Sequence, residues 1–160
     1  MSTTPLAPHY HVGIVVADLA PAQAQLTAQL GVTWGPVLDL TGHEIRDGAG
    51  ADLVVPTRFC YSVEEPRLEL LEEVPGTVWS RNEHSNLHHI GFWSDDLPGD
   101  SDRLAGSGCP LQICGRAGAD APVSYAYHRN DLGIRIEIVD AGVRPMMASF
   151  LFVPPTPDGG

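Results

Sequence analysis

Two stretches of the chain repeat each other. Residues 11–19 read HVGIVVADL and residues 89–97 read HIGFWSDDL. Aligned without gaps they share His11/His89, Gly13/Gly91, Asp18/Asp96 and Leu19/Leu97, 78 positions apart. A second match follows in the same order. Residues 67–72 read RLELLE and residues 135–140 read RIEIVD, so that Arg67/Arg135 and Glu69/Glu137 are identical and the apolar positions between them correspond, 68 positions apart. One such match arises easily by chance in a chain rich in Leu, Val and Ala. Two in the same order mark a duplicated unit, in which each copy has to fold alike.

Each copy carries the same succession of signals. A run of β-forming residues comes first, YHVGIVVA in one copy and LHHIGFWS in the other. Asp18 and Asp96 follow where a helix N-cap belongs, because a carboxylate there accepts an orphan backbone N–H. In LAPAQAQLTAQLG, Leu19, Ala22, Leu26 and Leu30 recur at helical spacing and Gly31 suits the C-terminal stop; a shorter, more polar helix is expected around Leu97–Gly106. Strands come next: WGPVLDL, ADLVVPTRFCYS and RLELLEE, then PLQIC, VSYAYHR and IRIEIVD, parted by Pro- and Gly-rich joints. The pattern predicts one α+β domain over 1–160 with a curved mixed sheet built from two copies. Module 1 spans about 9–74, a linker about 75–86, module 2 about 87–141 and a C-terminal segment 142–160. MSTTPLAP and VPPTPDGG read as loose tails.

Composition narrows the partners. The 160 residues hold 20 acidic and 9 basic side chains, a formal charge of −11. Such a chain repels nucleic-acid phosphates and anionic lipid, so neither nucleic acid nor membrane is expected and a small molecule is. No apolar run approaches a membrane span, and the N-terminus has neither the basic nor the apolar region of a secretory signal. Cys60, Cys109 and Cys114 are odd in number and form no C-x-x-C pair. They are expected as reduced residues of a cytoplasmic protein.

The repeat also singles out chemistry. If two like units pack about a pseudo-two-fold axis, His11 meets His89 and Glu69 meets Glu137. Two carboxylates brought together resist joint ionisation. A divalent cation reverses that penalty, since two carboxylates and two neutral imidazoles balance a +2 charge. The predicted ligands are therefore His11, Glu69, His89 and Glu137. This donor set of two nitrogens and two oxygens suits one Ni, Co, Mn, Fe or Zn ion. Two positions of a six-coordinate shell would stay open for a substrate with adjacent oxygens. His88 competes with His89, but side chains alternate along a strand and the alignment with His11 selects His89. His9 falls in the N-terminal tail. His43, His84 and His128 have no partner in the repeat and are read as surface or pocket-rim residues.

These motifs resemble the vicinal oxygen chelate superfamily, which includes glyoxalase I, methylmalonyl-CoA epimerase, extradiol dioxygenases and antibiotic-resistance binding proteins. HVGIVVADL is similar to the family's opening strand with its His ligand, LELLEE to the strand with the second ligand, LHHIGFWSDDL to an epimerase-like segment, and GIRIEIVD to the closing strand with the last ligand. The likeness runs from about residue 9 to about residue 140. It implies two βαβββ modules of the glyoxalase/bleomycin resistance type, forming a cup around the metal site. Epimerases of the family usually carry Gln where this chain has Glu69.

The activity the resemblance implies is that of a metal-dependent isomerase or epimerase. It would abstract a proton next to a carbonyl and stabilise the enolate on the divalent cation. Glu137 and Glu69 are then the expected proton carriers, with Asp52 a weaker candidate. Arg58, Tyr61 and Tyr127, on strands expected to line the cup, are the expected substrate-binding residues. A glyoxalase I-type lyase acting on a thiol adduct, an extradiol-type dioxygenase and a non-catalytic binding protein are the competing readings. Met146, Met147, Phe150 and Leu151, at near-helical spacing in GVRPMMASFLF, suggest a helix that caps the sheet or joins two copies. Dimers are common in the resembled family, so a homodimer is expected.

Overall fold

The structure is a computed structural model that describes residues 5–156. Its elements run β1 (His9–Val16), α1 (Leu19–Leu30), β2 (Leu38–Asp47), β3 (Asp52–Tyr61), β4 (Arg67–Glu72), then β5 (Leu87–Ser94), α2 (Leu97–Gly106), β6 (Leu111–Gly115), β7 (Tyr125–Arg129) and β8 (Arg135–Asp140). A 3₁₀ turn (Ala141–Val143) and α3 (Arg144–Phe150) follow. This is the βαβββ order twice over, an α+β fold with eight strands and three α-helices among the described residues. None of those helices is long and apolar enough to cross a membrane.

The chain forms two compact units. One comprises residues up to Tyr10, Thr41–Val55 and His89–Val143; the other comprises His11–Leu40, Pro56–His88 and residues from Arg144 onward. The hairpin between β2 and β3 thus groups with the second half of the chain, and the C-terminal helix with the first.

The unit containing α1 pairs β1 with β4 in parallel and β4 with β3 antiparallel. Val16, Leu19, Trp34, Cys60 and Leu70 form its core, with Ile14, Ala22, Leu26 and Leu68 packed against them. The stripe predicted on α1 is therefore the one it buries, except for Leu30, which is 60% exposed in the last turn. Asp18 caps the helix by accepting from the Ala20 N–H, and Gly31 closes it at φ +74°, a left-handed conformation that costs glycine little. The unit containing α2 repeats the scheme. β5 pairs in parallel with β8, β8 antiparallel with β7, and β6 with both β7 and β2. Its core of Leu97, Leu104, Cys109, Cys114, Ala126 and Ile138 places Leu97, Ala126 and Ile138 where the first unit has Leu19, Cys60 and Leu70.

Two expectations change. The strand anticipated at WGPVLDL starts later, at Leu38, and runs through TGHEIRD. Trp34 makes only an isolated bridge to Ser62. Next to it the chain is committed to another contact, because a Cβ on Gly35 would lie 1.9 Å from the Leu151 carbonyl oxygen. The polar TGHEIRD carries little periodic signal because Ile45 is its one buried residue. His128, read as a surface or rim residue, is instead fully buried. Its Nδ1 meets the Cys109 carbonyl at 2.8 Å and its Nε2 the Ser101 hydroxyl at 2.9 Å, and burial pushes its pKa down. The linker stretch is held by Trp79, 2% exposed, and by backbone and side-chain bonds among Val74, Thr77 and Ser80.

Candidate metal centre

In the unit containing α1, parallel pairing sets His11 of β1 opposite Arg67 of β4 and Gly13 opposite Glu69. His11 and Gly13 point to one face, as do Arg67 and Glu69, because side chains alternate with period two. Gly13 has no side chain to stand beside Glu69, so the carboxylate is free to lean towards His11. The His11 Nε2 lies 3.4 Å from a Glu69 oxygen, and the two residues are 0% and 3% exposed. Tyr61 of β3 pairs with Glu69 from the other side, and its ring meets His11 edge-on with centroids 5.5 Å apart.

The unit containing α2 repeats this arrangement. Gly91 of β5 stands opposite Glu137 of β8. The His89 Nε2 lies 3.2 Å from a Glu137 oxygen, and both residues are 4% exposed. Tyr127 of β7 pairs with Glu137, and its ring centroid is 4.9 Å from that of His89. The neighbouring His88 has a different partner, with its Nε2 2.7 Å from the Val78 carbonyl. Each unit therefore contributes one buried His–Glu pair flanked by a tyrosine. Among the described residues, His11, Glu69, His89 and Glu137 are buried side chains that could serve as ligands of a metal ion. Imidazole nitrogen and carboxylate oxygen are donors that first-row dications accept, and a carboxylate held this far from water gains most from a cation.

The tyrosines belong to a third repeat that the two obvious matches conceal. Phe59-Cys60-Tyr61 and Tyr125-Ala126-Tyr127 occupy equivalent places, with Phe59 opposite Leu71 and Tyr125 opposite Val139. Within each triplet the two rings meet in a T-shape, at 5.9 and 5.3 Å. The signal was present as aromatic-small-Tyr, 8 residues before Glu69 and 10 before Glu137. His43 also lies near this aromatic pair, its Nε2 3.1 Å from the Tyr125 hydroxyl, and burial lowers its pKa. Gly115 lies close by, where a Cβ would come 2.3 Å from the Val123 carbonyl oxygen and 3.0 Å from the Tyr125 ring.

Arg58 and Asp52 are placed otherwise. Arg58 projects from the face of β3 opposite to Tyr61. It is ion-paired with Glu72 at 2.9 Å and Asp39 at 3.1 Å. Glu72 in turn accepts from the Leu19 N–H at the start of α1, so Arg58 ties that helix to the sheet. Asp52 is held by Arg46 and Arg116 at 2.9 and 2.7 Å. The hydrogen bond from Arg46 keeps its carboxyl below the usual range, which leaves it a poor base.

The Glyoxalase/Bleomycin resistance protein/Dioxygenase superfamily model matches residues 10–127. No curated protein matches the chain at a significant level. Among solved structures, a variant of Streptomyces coelicolor methylmalonyl-CoA epimerase in complex with 2-nitronate-propionyl-CoA is similar at 16% identity and a TM-score of 0.61, over 85% of this chain and 95% of that one. Methylmalonyl-CoA epimerase from Mycobacterium tuberculosis is similar at 20% identity and a TM-score of 0.56, over 88% and 92%. A mutant of 4-hydroxymandelate synthase from Streptomyces coelicolor is similar at 20% identity and a TM-score of 0.54, over 95% of this chain and 40% of that one. At such identities the structural likeness speaks to fold. The family match spans most of the chain, and with it the repeated strand–helix order places this protein in the glyoxalase/bleomycin resistance protein/dioxygenase superfamily, the vicinal oxygen chelate proteins.

Proposed function

We propose that the protein is a metal-dependent isomerase or epimerase in which His11, Glu69, His89 and Glu137 together hold one divalent cation. The observation that carries this reading is the repetition of a buried His–Glu pair, at 3.4 Å in one unit and 3.2 Å in the other, on equivalent strands with a glycine opposite each glutamate. A structural ion pair would need to occur only once. A pair kept in both copies points to shared work. When bound, the cation supplies Lewis acidity that favours negative charge on a substrate oxygen next to the carbon losing its proton.

The chain's own residues do the rest. Glu69 and Glu137 each offer carboxylate oxygens able to hold a proton, one on either copy of the repeat. Two carriers acting from opposed sides invert a centre, whereas one carrier acting on adjacent carbons isomerises it. Tyr61 and Tyr127 stand beside them, placed to orient the substrate and to exclude water. The substrate we expect is a small molecule with two adjacent oxygens and an acidic C–H between or beside them. The similar epimerases make acyl-CoA esters the first class to try. Buried reduced thiols at Cys60, Cys109 and Cys114 suit a cytoplasmic setting.

The test is α-proton exchange in D₂O, followed by proton NMR on methylmalonyl-CoA and a panel of 2-oxo and 2-hydroxy acids. Protein loaded in turn with Ni²⁺, Co²⁺, Mn²⁺, Fe²⁺ or Zn²⁺ is expected to catalyse exchange that chelator abolishes. Exchange equal with and without metal would refute the proposal. So would oxygen consumption by the Fe²⁺ form in place of exchange.

A further inference from the structure

The C-terminal segment lies outside the repeat, and there is one of it for two copies of the Tyr–His–Glu arrangement. Where it goes bears on which substrates fit. α3 buries Met147, then the Leu151 and Phe152 N–H groups turn back to the Met147 carbonyl, at 2.8 and 2.9 Å, and carry both side chains inward. Leu151 is 3% and Phe152 7% exposed, whereas Met146 and Phe150 on the other side of the helix are half exposed. The ring of Phe152 meets Tyr61 in a T-shape at 5.2 Å and lies over the Arg67 guanidinium at 3.9 Å.

Tyr61 and Arg67 both border the His11–Glu69 pair. Arg67 stands opposite His11 in the β1–β4 register, and Tyr61 stands opposite Glu69 while its ring touches that of His11. Arg67 is itself fixed, donating to the carbonyls of Ser62 and Val63 and to the Glu65 carboxylate. The backbone of the segment is also pinned, because the Leu151 carbonyl passes where Gly35 has no Cβ. A flat ring is thus held in place against two residues next to the candidate ligands by a segment with little freedom to withdraw.

We propose that Phe152 is a specificity-determining residue, a plug that fills an aromatic-sized pocket over Arg67 and Tyr61 and so limits the groups a substrate can place beside His11 and Glu69. The inference rests on the metal-site reading for its functional meaning, though not for the existence of the pocket. Truncating the plug leaves a nearly enclosed space lined by a ring and a guanidinium. Neighbours relax only partly into such a space, which then takes an arene of similar size.

Toluene is the probe, read by thermal shift on wild type, Phe152→Ala and Phe152→Leu, and then by the visible spectrum of each protein loaded with Co²⁺. Phe152→Ala is expected to bind toluene at least about tenfold more tightly than wild type, with Phe152→Leu in between because its side chain still half-fills the space. Toluene is expected to perturb the Co²⁺ bands of Phe152→Ala and leave those of wild type unchanged. Equal toluene affinity in a folded Phe152→Ala and in wild type overturns the plug. So does tighter binding that leaves the Co²⁺ bands unmoved, since the pocket would then lie away from the ligands. Should Phe152→Ala fail to fold, Phe152→Leu carries the same comparison. Failure of Co²⁺ to give a spectrum in any of the proteins would count against the four-ligand site, while the thermal shift would still decide whether Phe152 closes a pocket.

Discussion

Replacing Glu137 by Gln keeps the shape of the side chain and removes one negative charge from a residue that is 4% exposed. Unit charges 4 Å apart attract by about 4 kcal/mol at an effective dielectric of about 20, and a dication roughly doubles that before desolvation is subtracted. A loss of about 2.7 kcal/mol in cation binding, or hundredfold in affinity, is therefore a conservative expectation. Its readout is stability. Cation at a hundred times its Kd stabilises wild type by about 2.7 kcal/mol, and at the same concentration the variant gains only about 0.4 kcal/mol. An unfolding entropy of about 2.1 cal/mol/K per residue over the 160 residues makes these shifts about 8 °C and about 1 °C. Without metal the order should turn round, with Glu137→Gln at least as stable as wild type, because it no longer buries that carboxylate. Differential scanning calorimetry with and without each of the five metals reads both effects. Equal metal-induced shifts in wild type and variant would refute the ligand role, and no shift with any metal would refute the site.

Three further outcomes are expected. Burial holds the folded-state pKa of His128, and that of His43, below the ordinary histidine value, so the unfolded chain binds more protons below about pH 6.5. Stability should therefore be full above that pH and decline as pH falls below it, and His128→Asn should flatten the decline in urea midpoints measured from pH 7.5 to 5. Leu70 is fully buried beneath α1, so Leu70→Ala should cost about 2–5 kcal/mol in urea unfolding; a cost under about 1 kcal/mol would contradict the packing. Burial pushes the Cys60 thiol up to about 11 and raises Cys109 and Cys114 as well. Iodoacetamide at pH 8 should thus leave all three unlabelled in the native protein and label them in urea, as read by mass spectrometry.

The repeat made much of this legible in advance. Identical residues at matched positions marked β1, β4, β5 and β8, and those four strands carry the two His–Glu pairs. The helix ends could be read too, because Asp18 and Gly31 act through local chemistry that needs no tertiary context. What escaped depends on contacts distant in sequence. β2 was shifted because Gly35 and Trp34 are engaged by the C-terminal segment and by Ser62, more than a hundred and nearly thirty residues away respectively. Arg58 reads as a substrate-facing cation until Asp39 and Glu72 are found on its own face of the sheet. His128 has no repeat partner, and only α2 and Cys109 show why it is buried. Phe152 sits near the end of a segment whose apolar spacing suggested a helix but not the destination of its last ring.

The matched tyrosines give the protein a built-in experimental control. Tyr61 and Tyr127 stand opposite equivalent glutamates and beside equivalent histidines, so under the proposed mechanism removing one hydroxyl at a time tests each copy of the repeat separately. Identical losses would mean that the reaction treats the copies as interchangeable. Unequal losses would reveal handedness, telling which copy faces the bond that breaks, and would do so without any knowledge of what the substrate is.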